Sequence, residues 1–213
     1  MIKFTNTEIR DLITAFIIIS IAFAIANVGL DVHNFLSILP IVMVGVGLGF
    51  IFRELGHKYV AMQYDYRAEF KMWIIGLLIA LASAFIGWVF AAPGEVKFHP
   101  DEVTDEISGR ISIAGPMANM TLAIIFIVIA ALIYPLISYP IYHLIYLICT
   151  VGFSVNSFLA AFNLFPVYTL DGLNVFKWNK GIWFVVFAIS ITMMLSSILI
   201  GAENMVVMII ESV

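Results

Sequence analysis

The sequence predicts an all-α polytopic membrane protein, one domain over residues 1–213 with about five to six membrane-embedded helices. Three observations lead there. Hydrophobic residues make up 63% of the chain and charged residues 11%, mean hydropathy is +1.09, and the apolar residues gather into long runs. A water-soluble surface needs far more charge than this. The net charge of −4 offers no basic footprint for nucleic acid. Cys149 is the single cysteine and lies in an apolar run, so neither a disulfide framework nor a thiolate cluster is available.

Residues 1–11 are polar and mixed in charge, and the apolar run 12–30 follows. That run is too long for a signal-peptide core, and Glu8 and Asp11 spoil the positive flank a signal needs, so it reads as a first span. After a polar turn at 31–34, the next run continues through Arg53-Glu54-Leu55-Gly56-His57-Lys58, predicting a helix over 35–64. Gly45 and Gly49 inside it are four apart, which suits close helix packing. No strand precedes them, which rules out a nucleotide-binding loop. A membrane-associated segment, 66–112, contains an apolar stretch at 72–92 interrupted by Gly76 and Gly87, predicted as a re-entrant or β-hairpin excursion. Helices over 113–133, 141–172 and 182–210 complete the set. Trp73, Trp88, Trp178 and Trp183 read as interfacial anchors, and the acidic stretch 95–106 reads as solvated surface.

Charge placement sets the expected topology. Lys3 and Arg10 precede the first span, and the turn after it has no Lys or Arg, which places the N-terminus in the cytoplasm. The second helix then returns inward with Glu54 and His57. If 72–92 crossed the bilayer, Lys97, Arg110, Lys177 and Lys180 would lie outside. If it dips in and returns, every loop Lys and Arg stays inside, and irregular backbone at that depth is tolerated where protein buries it. The non-crossing version also brings Asp171 level with His57.

Ionisable groups inside a membrane are expensive, and their presence points to function. On a helix, positions 53 and 57 share a face one turn apart, with position 54 about 100° round. That is the geometry of H-E-x-x-H, in which two histidines hold zinc and the glutamate acts on the bound water. This chain has arginine at the first position. Alone, E-x-x-H is a weak signal, since a lone histidine is more often a hydrogen-bonded packing residue. The segment Asn163-Leu164-Phe165-Pro166 ends an apolar helix, and Leu170-Asp171-Gly172 follows. Asp171 there reads as a third metal ligand or as a cap for the stretch 174–178. Taken alone, the cap is the better reading.

Several motifs in order change that weighing. Glu54-Leu55-Gly56-His57 with Ala61, then Ala114-Gly115-Pro116-Met117-Ala118-Asn119, then Asn163 and Pro166 with Leu170-Asp171-Gly172, resemble the site-2 protease family of intramembrane zinc metalloproteases. Tyr66-Arg67-Ala68-Glu69-Phe70 and Ala92-Pro93-Gly94 resemble that family's segment between the first two motifs. The resemblance implies one zinc ion held by His57, Asp171 and a histidine at position 53, with water in the fourth site. It implies Glu54 as general base and Asn163 as the group that stabilises the oxyanion or holds the substrate backbone. Gly115, Pro116, Asn119, Pro166 and Gly172 are implied as structural or substrate-side positions. The implied reaction is hydrolysis of transmembrane-helix protein substrates within the lipid bilayer, the zinc polarising the carbonyl and acidifying its water.

Arg53 departs from that pattern. A guanidinium stays protonated and offers no lone pair, so zinc binding is expected to fail, with Arg53 pairing to Glu54 or Asp171 instead. His33 and His143 are expected at the far ends of their helices, and His99 has no helical register to aim it. Asp65 stands where the family places a glycine suited to a left-handed helix cap. The reading is therefore an intramembrane metalloprotease scaffold made inactive by Arg53. The alternatives are a non-catalytic membrane-helix-binding protein on the same fold, and an ion or proton transporter using Glu54, His57 and Asp171. The absence of an internal repeat in the sequence counts against the transporter.

Overall fold

A computed structural model describes residues 4–90, 93–98, 104–167 and 170–212, with 97–98 as backbone only. Eight α-helices appear among them: α1 Asn6–Val28, α2 Val32–Gln63, α3 Ile74–Ala84, α4 Asp105–Ile133, α5 Pro140–Asn163, α6 Asp171–Trp178, α7 Lys180–Leu199 and α8 Ala202–Glu211. Strands β1, Ala68–Met72, and β2, Gly94–Phe98, form one antiparallel ribbon. Helices α1, α2, α4, α5 and α7 are long and apolar enough to cross a membrane, so the chain is an all-α polytopic membrane protein with one small β-ribbon.

Among the described residues of the stretch 72–92, Met72 ends β1 and the one helix is α3, which at 11 residues is about 16 Å long against a hydrocarbon core of about 30 Å. The ribbon pairs Met72 with Gly94 and Ala68 with Phe98. The excursion between the strands therefore begins and ends at one place.

Capping residues set the helix starts, and they move several of the expected bounds. Asp31 accepts hydrogen bonds from the backbone N–H groups of His33 and Asn34, so the helix expected over 35–64 begins at Val32. Thr104 caps α4, and Asp105 and Glu106 occupy the electropositive first turn. Glu106 also pairs with Arg110 one turn on, at 2.9 Å. The helix expected over 113–133 thus begins at Asp105, and part of the 95–106 stretch is strand or helix. The element expected over 141–172 ends at Asn163, and Asp171 opens a separate short helix. The helix expected over 182–210 starts at Lys180 under an Asn179 cap and divides at Gly201, whose φ of 86° breaks the helical path.

Two apolar clusters fill the bundle. One joins α1, α2, α3, β1 and β2 to the end of α5, through residues such as Ala15, Val46, Phe50, Phe70 and Leu159; the other joins α4, α5 and α8, through Ala123, Phe126, Phe153 and Val206. Without a hydrophobic driving force between helices in lipid, close backbone approach and polar contacts hold such a bundle. A Cβ on Gly45 would meet the Gly152 backbone at 3.1 Å, and one on Gly49 would collide with the Asn156 amide. These two glycines are where α2 lies against α5.

Candidate active site

Helix α2 carries Arg53, Glu54, His57 and Lys58 on buried positions of its final turns. Helix α4 meets this face through glycine. A Cβ on Gly56 would touch the Ala114 carbonyl at 3.1 Å, and one on Gly115 would collide with the His57 imidazole. Pro116 is fully buried beside it. Asn163 ends α5, and Asp171 opens α6 after a turn containing Pro166, which is exposed. Gly172 closes that turn, since any side chain there would strike the Leu164 carbonyl. Helix α6 is tied to α4 by Asn174, whose amide donates to the Ser112 hydroxyl at 3.0 Å.

These elements converge on the Arg53 guanidinium. Its Nη1 pairs with Glu54 Oε1, and its Nη2 donates to Asn163 Oδ1 at 3.0 Å and to Asp171 Oδ2 at 2.7 Å. Asn163 in turn donates its Nδ2 to the Leu159 carbonyl at 2.7 Å. The N-cap position of α6 is Leu170, and Asp171 is the first helical residue. Its carboxylate faces Arg53 and does not stand at the cap position expected for it. Burial pushes the Asp171 carboxyl upward, but the charges of Arg53 and His57 outweigh it and hold the group below its ordinary range.

His57 Nδ1 lies 2.8 Å from the Ile111 carbonyl. A carbonyl only accepts, so Nδ1 carries a proton and Nε2 is the ring nitrogen turned inward. That Nε2 is buried without a hydrogen-bond partner, and Asp171 Oδ2 stands 3.4 Å from it. Two ligand atoms about 2.0 Å from a tetrahedral zinc are separated by about 3.3 Å. The observed separation is close to that value. Arg53, however, donates from Nη2 to Asp171 Oδ2. Among the described residues no three His, Cys, Asp or Glu side chains form a group that could hold a metal. The side chains present do not fit a catalytic zinc, which takes three protein ligands.

The remaining histidines do not help. His33 and His143 are exposed in the first turns of α2 and α5, each roughly 30 Å or more along its helix from the site at 1.5 Å per residue. His99, Lys3 and Ala92 lie outside the described residues.

Three features around the site escaped the sequence reading. Lys58 donates to both Glu8 carboxylate oxygens at 2.7 and 2.6 Å, and Glu8 also accepts from the Phe70 N–H at 3.1 Å. From sequence, Glu8 is only part of a polar N-terminal flank, because nothing along the chain links residue 8 to residues 58 and 70. Asn119 and Asn156 form a buried amide pair at 2.9 Å, reaching the carbonyls of Gly49 and Gly45 at 3.1 Å each. Asn156 was legible only as a polar residue in an apolar helix. Trp183, expected as an interfacial anchor, donates its indole N–H to the Leu164 carbonyl at 2.8 Å.

No family model matches the chain, and no solved structure matches it. Among curated proteins it is 36% identical over 185 residues to “Putative zinc metalloprotease MJ0611” of Methanocaldococcus jannaschii, covering 86% of this chain and 91% of that protein. “Zinc metalloprotease MJ0392” of the same organism is 25% identical over 158 residues, covering 74% of this chain and 39% of that longer protein. The chain belongs to the site-2 protease-like family of zinc metalloproteases.

Proposed function

We propose that the chain is an intramembrane metalloprotease scaffold in which Arg53 has replaced the metal centre and abolished peptide hydrolysis. The observation that carries this reading is the guanidinium contact to Glu54, Asn163 and Asp171 together. The family's general base, its oxyanion or backbone-holding group and one of its zinc ligands are thereby engaged by a single fixed cation. The site is taken to lie near the cytoplasmic side, with the N-terminus also cytoplasmic. Supporting that orientation are the positive-inside pattern and the return of the 72–94 excursion to its own starting point.

A second reading keeps binding and drops cleavage: the protein holds transmembrane helices of partner proteins without cutting them. It is favoured by an apolar groove of about 760 Å³ beside the site turn, lined by Trp73, Trp88, Phe158, Phe162, Phe165 and Leu170 among others. Nothing comparable favours the transporter reading.

Zinc content of the purified protein tests the proposal, with Arg53→His measured beside the native chain. Near-stoichiometric zinc in Arg53→His alone supports the reading. Zinc in both would show that another group replaces position 53, and the inactivity claim would fall. Zinc in neither would leave the helix-binding reading.

A further inference from the structure

Asn163 and Asp171 reach the site from two different helices, and the turn between them has to hold both at once. Their neighbours meet at one atom. Leu164, next to Asn163, presents a carbonyl against which Gly172, next to Asp171, is pressed so closely that a Cβ would collide. Trp183 of α7 donates its indole N–H to the same carbonyl at 2.8 Å.

The indole itself is held from two sides. It stacks on Phe187 with centroids 5.1 Å apart and planes 16° from parallel. Phe176 of α6 meets it edge-on at 5.0 Å and 87°. Phe187 in turn packs edge-on against Phe165 of the turn at 5.1 Å. Such offset and perpendicular contacts have preferred geometries and fix the direction of the N–H. Further along α7, Ser190 is fully buried, and Ser197 bonds to the Ser154 hydroxyl at 2.7 Å toward the other end.

We propose that Trp183 is a positioning residue of the site. Acting through the Leu164 carbonyl, its N–H fixes the crossing point of the Asn163 and Asp171 arms and so the distance of both side chains from Arg53. A carbonyl at membrane depth with no donor would be costly, so losing the N–H lets the turn shift toward another partner. Both arms then move together. The proposal rests on reading Asn163 and Asp171 as the site pair, but it concerns the chain as it stands, without metal.

The test is a thermal double-mutant cycle on the purified full chain in detergent, using Trp183→Phe and Asp171→Asn. Trp183→Phe keeps an aromatic ring in the cluster and removes only the donor and the second ring. The drop in unfolding midpoint caused by Asp171→Asn is expected to shrink by at least half in the Trp183→Phe background. Ser197→Ala, which removes the other α7 hydrogen bond and does not touch the indole, should leave that drop unchanged. Equal drops in the native and Trp183→Phe backgrounds would overturn the proposal, since a purely structural tryptophan adds its effect independently.

Should Trp183→Phe not fold, the indole proton answers in its place. Asp171→Asn is expected to shift the Trp183 indole N–H resonance and speed its exchange with solvent, and an unmoved resonance would overturn the proposal. Failure of Arg53→His to take up zinc would count against the family reading of the site and leave this coupling intact, so the two failures are separable.

Discussion

Gly115 lies against the His57 imidazole so closely that the protein has no room for a methyl group between them. A Cβ added at Gly115 would collide with Nε2 and would also come within 2.9 Å of Arg53 Cγ. The expected result for Gly115→Ala is a destabilisation of about 1–3 kcal/mol, the usual range for overpacking, and a displaced His57 ring. Chemical denaturation in detergent measures the first. Loss of zinc uptake when Gly115→Ala is added to Arg53→His measures the second. A Gly115→Ala chain with native stability would show that α4 can move away from α2 freely.

Arg53 is the cation between the buried Glu54 carboxylate and the part-buried Asp171 carboxylate. Arg53→Ala leaves Glu54 and Asp171 facing each other without it, and breaking a buried pair in this way costs about 3–5 kcal/mol. Arg53→Lys should recover little of that loss, because a compact ammonium lacks the planar, spread donors that reach Glu54, Asn163 and Asp171 at once. A chelator should leave the unfolding midpoint of the native chain unchanged and lower that of Arg53→His. A native chain that loses stability on chelation would contradict the account of Arg53.

Glu8 and Lys58 are almost fully buried, at 2% and 3% exposure, and together with Phe70 N–H they tie α1 to α2 and β1. Glu8→Gln should cost about 3–5 kcal/mol by stranding the ammonium, whereas the double substitution Glu8→Leu with Lys58→Met should lie much closer to native stability. If the double variant falls as far as the single one, the pair does more than neutralise itself.

Asp65 follows the end of α2 with φ at 60°, the one positive-φ residue other than glycine among those described. A β-carbon in that conformation costs roughly 1–2 kcal/mol, somewhat less for aspartate. Asp65→Gly is therefore expected to stabilise the protein by up to about 1 kcal/mol, and Asp65→Val to destabilise it. A lower unfolding midpoint for Asp65→Gly would mean that the aspartate side chain contributes more than its backbone strain removes.

Much of this was legible from the residues themselves. The five long spans, the interruption at 72–92 and the packing role of Gly45 and Gly49 follow from hydropathy and spacing. The left-handed conformation at Asp65 follows from the family resemblance, which implies a glycine at that position. The convergence of residues 53, 54, 163 and 171 came from motif order, since local reading preferred a cap for Asp171. What could not be read were contacts whose partners are far apart in sequence and have no periodicity of their own. Glu8 with Lys58 and Trp183 with Leu164 are of this kind. Helix bounds shifted where a single cap, such as Asp31 or Thr104, extends a helix into polar sequence that hydropathy assigns to a loop.

Deeper in the bundle, Asn119 and Asn156 join α2, α4 and α5 by bonding to the main-chain carbonyls of Gly45, Gly49 and Gly152. Apart from the bond that joins them to each other, these amides address the main chain and are indifferent to which side chains stand a few residues away on the same helices. Helix register and the chemistry at position 53 can therefore vary separately under selection. A lineage can lose its reagent while keeping the frame, and the frame remains available for another use.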